Sequence, residues 1–172
     1  MHPVEVDECL EQMQLIVDTR EQPTQQFKRR IEAAALPYKR QKLNAGDYSC
    51  TCPMPDGSSM DLSDKVVIER KMSIDELAMC FGTERKRFTA EFDRAAEAGT
   101  KIYLIVEGAT WEKILAHKYR SKLNEKALLG SILAFEARYN APVIFCQKET
   151  SGRLIREILM RELKERLRAY GE

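Results

Sequence analysis

Apolar residues fall in short blocks along this chain, and the spacing inside each block predicts an element. Residues 14–18 (QLIVD), with Leu15-Ile16-Val17 at their centre, read as a short buried strand. Over 24–35, Phe27, Ile31 and Ala34 or Ala35 recur at helical spacing, with Pro23 before the stretch and Pro37 after it. Two short strands are expected at 38–43 and 47–52, separated by Asn44-Ala45-Gly46, followed by a turn-rich loop at 53–57. KVVIERK, at 65–71, is the clearest strand of the first half. Ser73 and Glu76 form a Ser-x-x-Glu capping box, which predicts a helix that Gly82 breaks. A second helix, at 84–98, places Phe88, Phe92 and Ala95 on one face and stops at Gly99. KIYLIVE, at 101–107, reads as a buried strand; helices follow at 110–116 and 124–139, then a strand at 142–146. The last helix, 151–169, carries Ile155, Leu159, Leu163 and Leu167 at i, i+4 intervals.

A strand cluster followed by alternating helices and strands predicts an α/β fold, a mixed central sheet flanked by helices. The 172 residues suit a single domain, assigned to 14–172, with 1–13 as an N-terminal extension. Apolar residues at 44% and charged residues at 32% give a globular balance. No run approaches the roughly 18 apolar residues of a membrane helix. The first 14 residues hold four acids and no basic residue, unlike a signal peptide, so an intracellular, cytoplasmic protein without membrane attachment is expected. Five cysteines without framework spacing predict incidental thiols rather than disulfides or a zinc site. Twenty-eight basic residues against 27 acids leave a formal charge of +1, whereas nucleic-acid binders usually carry a basic excess.

Phosphate-binding glycine loops are missing, and the two histidines, His2 and His117, have no partners in the sequence for catalysis. Carboxylates and lysine are better supplied. Strand alternation over 66–71 puts Val67, Glu69 and Lys71 on one face and Val66, Ile68 and Arg70 on the other. Asp47 opens a strand that can pair alongside. Two carboxylates can hold a hard divalent cation through oxygen, and a lysine beside them can orient water or offset charge on phosphorus. Taken alone, this pattern more often describes a salt-bridged strand end.

Three segments together are more specific. Val17-Asp18-Thr19-Arg20-Glu21, then Gly46-Asp47-Tyr48, then Glu69-Arg70-Lys71-Met72-Ser73-Ile74-Asp75 resemble, in order and spacing, the V-D-x-R-E, G-D-Y/F and E-R-K-x-x-x-D signature of the XPF/Mus-type nuclease domain. The resemblance spans about 14–146 and continues through the Arg87-Phe88 helix. It implies a restriction-endonuclease-like fold and a Mg²⁺- or Mn²⁺-dependent endonuclease cutting DNA near flaps, forks or junctions, in repair or recombination. By the same resemblance, Asp47, Glu69 and Asp18 are expected metal ligands and Lys71 the water-positioning group. Arg70 and Glu21 are expected to support activity. Asp75 fits either catalysis or helix capping. Arg20 fits either phosphate contact or structure. A non-catalytic binding or scaffold subunit of the same fold is the alternative, although every signature acid and the lysine are present.

There are two departures from the family pattern. Family enzymes often carry a tandem helix-hairpin-helix module, whereas this sequence ends at Glu172, so a stand-alone, prokaryotic or phage-type domain is expected. Glu91 stands where a glutamine is usual. DNA contacts are expected from Arg85, Lys86 and Arg87 and from Lys118, Arg120 and Lys122, which interleave with Tyr119. A further basic cluster lies between Lys28 and Lys42. The helix at 124–139 carries two apolar stripes, Leu128/Ile132/Phe135/Tyr139 and Leu129/Leu133/Ala137. A helix apolar on more than one side suits either burial or a homodimer or heterodimer face. Near-neutral charge predicts a modest, salt-sensitive grip on DNA that a partner would strengthen.

Overall fold

A computed structural model describes residues 1–170. Seven strands form one mixed sheet in the order β2-β1-β3-β5-β6-β7, with β4 added on β3. The strands are β1 (Gln14–Val17), β2 (Tyr38–Arg40), β3 (Tyr48–Pro53), β4 (Ser59–Asp61), β5 (Val66–Lys71), β6 (Lys101–Glu107) and β7 (Val143–Cys146). β5, β6 and β7 run parallel, as βα crossovers require, while β3 is antiparallel to β1, β4 and β5. A mixed sheet flanked by helices is the α/β architecture expected from the sequence.

Helices cover both faces. α1 (Pro3–Glu11), α2 (Gln25–Ala34) and α7 (Ser151–Arg168) lie on one, over a core that includes Leu15, Val17, Tyr48, Val66 and Ile68. α3 (Ile74–Phe81), α4 (Arg85–Glu97), α5 (Trp111–Leu115) and α6 (Glu125–Tyr139) lie on the other, over Val67, Leu104 and Val106. Phe81, Phe88, Phe92 and Phe135 pack there as a cluster with ring centroids 4.8–5.5 Å apart. α7 buries Ile155, Leu159, Leu163 and Leu167; an Arg168–Glu165 ion pair lies on its exposed face, and Glu162 on its flank pairs with Arg166 and with Lys101 of β6. α2 and α7 approach closely at Gly152, where a Cβ would stand 2.1 Å from the Arg30 carbonyl oxygen.

Several details differ from the sequence reading. Residues 3–11 of the N-terminal segment form α1, which places Val6 and Cys9 in the core against α7 and β3. His2 caps this helix, with Glu5 reaching back to the His2 N–H, a cap of unusual residue type that the sequence reading missed. The strand expected over 38–43 ends at Arg40, because the Asp18 carboxylate captures the Leu43 N–H at 2.8 Å and turns the chain. The expected loop continues into the short edge strand β4. At α3, Ser73 caps the Glu76 N–H, but Glu76 returns to the N–H of Met72 rather than that of Ser73. All five thiols are free, and four are buried. Among the described residues no helix is long and apolar enough to cross a membrane.

Candidate active site

Strand alternation on β5 sends Glu69 and Lys71 toward α4 and sends Arg70 through to the α2 side. Asp47 arrives beside them from the turn before β3. Gly46 makes that turn possible: its φ is +72°, and a Cβ there would lie 2.8 Å from Val67 Cβ. The Asp47 N–H donates to Ile68 O at 2.8 Å, and Asp47 Oδ2 accepts the Arg70 N–H at 2.8 Å. Asp47, Glu69 and Lys71 therefore line one cavity of about 320 Å³. Its other charged walls are Arg20, Arg87, Glu91 and Arg94, so three carboxylates meet four cationic side chains.

Lys71 Nζ donates to Glu69 Oε1 at 2.7 Å and stands 5.2 Å from the centre of the Phe88 ring. Burial raises the Asp47 carboxyl well above the usual carboxylate range, and the Glu69 charge adds to this; the Arg70 N–H only partly opposes it. Burial raises Glu69 as well, with Lys71 opposing. Burial pulls the Lys71 ammonium down, but the Glu69 charge outweighs it, so the group stays cationic.

The donor set fits a hard divalent cation. Among the described residues, the second oxygen of Asp47 and of Glu69 accepts no hydrogen bond. Mg²⁺ is commonly bound through one or two carboxylates while keeping several waters. Among the described residues, no three His, Cys, Asp or Glu side chains form a ready metal cage. A cation held here would rest on two carboxylates and water.

The other expected residues occupy distinct positions. Asp18 is 1% exposed and uses both oxygens, Oδ1 on the Leu43 N–H and Oδ2 on the Arg20 N–H and Nε. Burial pushes its carboxyl up, but these hydrogen bonds outweigh that and hold it low. Asp18 thus braces the loop beside Asp47, whose carbonyl accepts the Asp18 N–H at 2.9 Å. Glu21 accepts from the Tyr48 hydroxyl at 3.0 Å on the other side of the sheet. Asp75 faces away from the cavity and accepts the backbone N–H groups of Arg120 and Ser121 at 2.8 and 2.7 Å. That contact anchors the loop bearing Lys118, Arg120 and Lys122, in which Arg120 also pairs with Asp75. Arg85 donates to Ser131 Oγ at 2.8 Å and ties α4 to α6. Lys86 is exposed, and Arg87 pairs with Glu84 at the cavity rim.

Sequence patterning assigns no site role to Arg94 or Asn44, and it places Arg30 in the exposed basic cluster between Lys28 and Lys42, whereas the structure buries Arg30 at 4% exposure. Arg94 and Asn44 complete the cavity walls; Arg87, Glu91 and Arg94 share one face of α4, so helical spacing was the available signal. Arg30 and Glu107 form buried ion pairs behind the site. Arg30 lies at helical spacing from Phe27 and Ala34, on the buried stripe of α2.

Comparison with known proteins places this geometry among relatives. No curated protein sequence matches the chain. Among solved structures, XPF from Aeropyrum pernix superposes with a TM-score of 0.62 at 21% identity, covering 87% of this chain and 61% of that one. The same protein in complex with DNA gives 0.60 at 22% identity, covering 89% of this chain and 66% of that one. The chain thus spans less than two thirds of either structure, and the likeness is one of fold. The ERCC4 domain model matches residues 17–158, a stretch that holds Asp47, Glu69 and Lys71 together with the strands and helices that bring them to one cavity, and the chain belongs to the ERCC4 domain family.

Proposed function

We propose that this chain is a divalent-metal-dependent DNA endonuclease that hydrolyses phosphodiester bonds near flaps or branch points. The observation that carries the reading is the convergence of Asp47, Glu69 and Lys71 on one cavity walled by Arg20, Arg87 and Arg94. The family and the DNA complex of the similar Aeropyrum pernix protein support it.

Asp47 and Glu69 would hold Mg²⁺ or Mn²⁺ through their free oxygens. When bound, the ion polarises the scissile phosphate and lowers the pKa of a water. Lys71 remains protonated beside Glu69, orients the attacking water and offsets charge growing on phosphorus. Arg87 and Arg94 sit where they can meet phosphates flanking the cut. Lys86, Lys118 and Lys122 are exposed and extend the basic surface beyond the cavity. Asp18 and Glu21 act by bracing the loop and strand end that carry Asp47.

The decisive experiment incubates labelled flap, fork, gap and duplex DNA with the protein in Mg²⁺, Mn²⁺ or chelator. Metal-dependent nicking near the branch, lost in Asp47→Ala and Glu69→Ala, supports the reading. Branched-DNA binding without cleavage in either metal replaces the enzyme with a scaffold subunit.

Pairing with a second subunit is part of the same proposal. On α6, Leu128, Ile132 and Phe135 are buried, whereas Leu133 is 48% exposed. Sedimentation over a range of concentrations tests this: a ~20 kDa species throughout rules out a homodimer.

A further inference from the structure

Behind the candidate metal ligands, on the α2 side of the sheet, five polar side chains form a continuous chain of contacts. Tyr48 Oη donates to Glu21 Oε2 at 3.0 Å, and Arg30 Nη1 donates to Tyr48 Oη at 3.0 Å. Arg30 Nε stands 3.6 Å from Glu107 Oε1. Arg70 Nη1 donates to Glu107 Oε2 at 3.2 Å. Arg30 and Glu107 are 4% and 7% exposed.

This arrangement is a poor way to gain stability. Buried ion pairs lose solvation that their attraction barely returns, and apolar residues of equal volume often serve as well or better. The network also leaves Arg30 Nε, Arg70 Nε and Glu107 Oε1 without hydrogen bonds among the described residues. Local rule-breaking of this kind is expected where function constrains the structure.

Its position shows what it could constrain. Arg70 lies between Glu69 and Lys71, and its backbone N–H fixes Asp47 Oδ2. Tyr48 follows Asp47 and pairs with Ile68 across β3 and β5. Clamping the Arg70 and Tyr48 side chains from behind therefore fixes the two strand ends from which Asp47 and Glu69 project. Arg30 on α2 and Glu107 at the end of β6 are the outer anchors of that clamp and lie outside the signature motifs.

We infer that Arg30 and Glu107 are positioning residues for the metal-binding carboxylates, acting through the Arg70 and Tyr48 side chains from the opposite face of the sheet. The inference rests on the metal-dependent reading of the Asp47–Glu69 cavity. Residues that orient metal ligands typically change metal affinity or activity by 10–100-fold when removed.

The test uses Arg30→Met/Glu107→Leu, which removes both charges together at similar volume, and Glu107→Gln, which keeps shape and a hydrogen bond for Arg70. Thermal melting, Mn²⁺ binding by electron paramagnetic resonance, and kcat and KM on flap DNA are measured for each. The double variant is expected to melt below the wild type, because Arg70 loses its Glu107 partner, yet to fold, to bind Mn²⁺ at least about 10-fold more weakly and to lose kcat with little change in KM. Glu107→Gln is expected to show a smaller loss of the same kind, and it decides the matter if the double variant does not fold. Wild-type Mn²⁺ affinity and kcat in a folded variant overturn the inference and leave the metal site standing. A wild-type chain that binds no Mn²⁺ overturns the metal reading and this inference with it.

Discussion

Lys71 Nζ lies 2.7 Å from Glu69 Oε1, so the group expected to steer water is also the counter-ion of a candidate metal ligand. Replacing it separates the two roles. In Lys71→Met, Glu69 loses its competitor cation and stays available for metal, while the cavity loses the cation proposed to offset charge on phosphorus. Mn²⁺ binding at or above wild-type strength is expected, with cleavage reduced by roughly 10²–10³-fold. Single-turnover cleavage beside a Mn²⁺ titration checks both halves; retained cleavage would remove Lys71 from the mechanism.

Asp47 carries a conflict between function and stability. Its folded-state pKa is raised, by burial and by Glu69, so the folded chain holds this proton more tightly than the unfolded chain. Stability contributed by the protonated form is then lost as pH rises from the ordinary carboxylate range through the raised value. Asp47→Asn removes that loss. The variant is expected to be more stable than wild type at neutral pH, by roughly 0.5–2 kcal/mol, and no more stable at low pH. Mn²⁺ is expected to raise the melting temperature of the wild type and to leave that of the variant unchanged. Melting curves across pH, with and without Mn²⁺, measure all three effects.

Asp75 serves the loop rather than the cavity. It accepts two backbone N–H groups, from Arg120 and Ser121. Asp75→Ala should free the segment carrying Lys118, Arg120 and Lys122 and cost roughly 1–3 kcal/mol. Mn²⁺ affinity should stay unchanged, with weaker DNA binding measured in Ca²⁺. A loss of Mn²⁺ binding in a folded variant would instead give Asp75 a part in the cavity's chemistry.

Acid stability should report on Glu162. Burial pushes its carboxyl up, but contacts from Tyr103, Lys101 and Arg166 outweigh this and hold it down at about 2. A depressed folded-state pKa contributes stability above the unfolded value, and that stability is lost as pH falls toward about 2. Glu162→Gln should therefore lower stability at neutral pH and flatten its fall between roughly pH 5 and 2. Denaturant titrations at several pH values test this; parallel curves for the two proteins would refute it.

Much of the architecture was legible because apolar spacing states it directly. The i, i+4 leucines of α7 are buried, and alternation on β5 sorted Glu69 and Lys71 from Arg70. Convergence of Asp47 with Glu69 and Lys71 could be anticipated from motif order, since β3 and β5 pair at Tyr48 and Ile68. Other features depended on long-range polar contacts that carry no period. Asp18 became a loop brace only because Leu43, 25 residues on, offers it an N–H. Asp75 found its partners 45 and 46 residues away. Arg30 hid among basic neighbours, although its helical spacing put it on the buried side. The net charge of +1 conceals local sorting, since four cationic groups ring a cavity with three carboxylates.

The alternation of Glu69, Arg70 and Lys71 across β5 gives this strand something like a reading frame. Each residue's duty is set by its parity: odd positions address the cavity, and Arg70 addresses the buried clamp behind it. Substitution at one position alters one duty. An inserted or deleted residue within 66–71 would exchange the two faces, turning Arg70 into the open cavity and a carboxylate into the clamp. The segment should therefore tolerate replacements far better than any change of length.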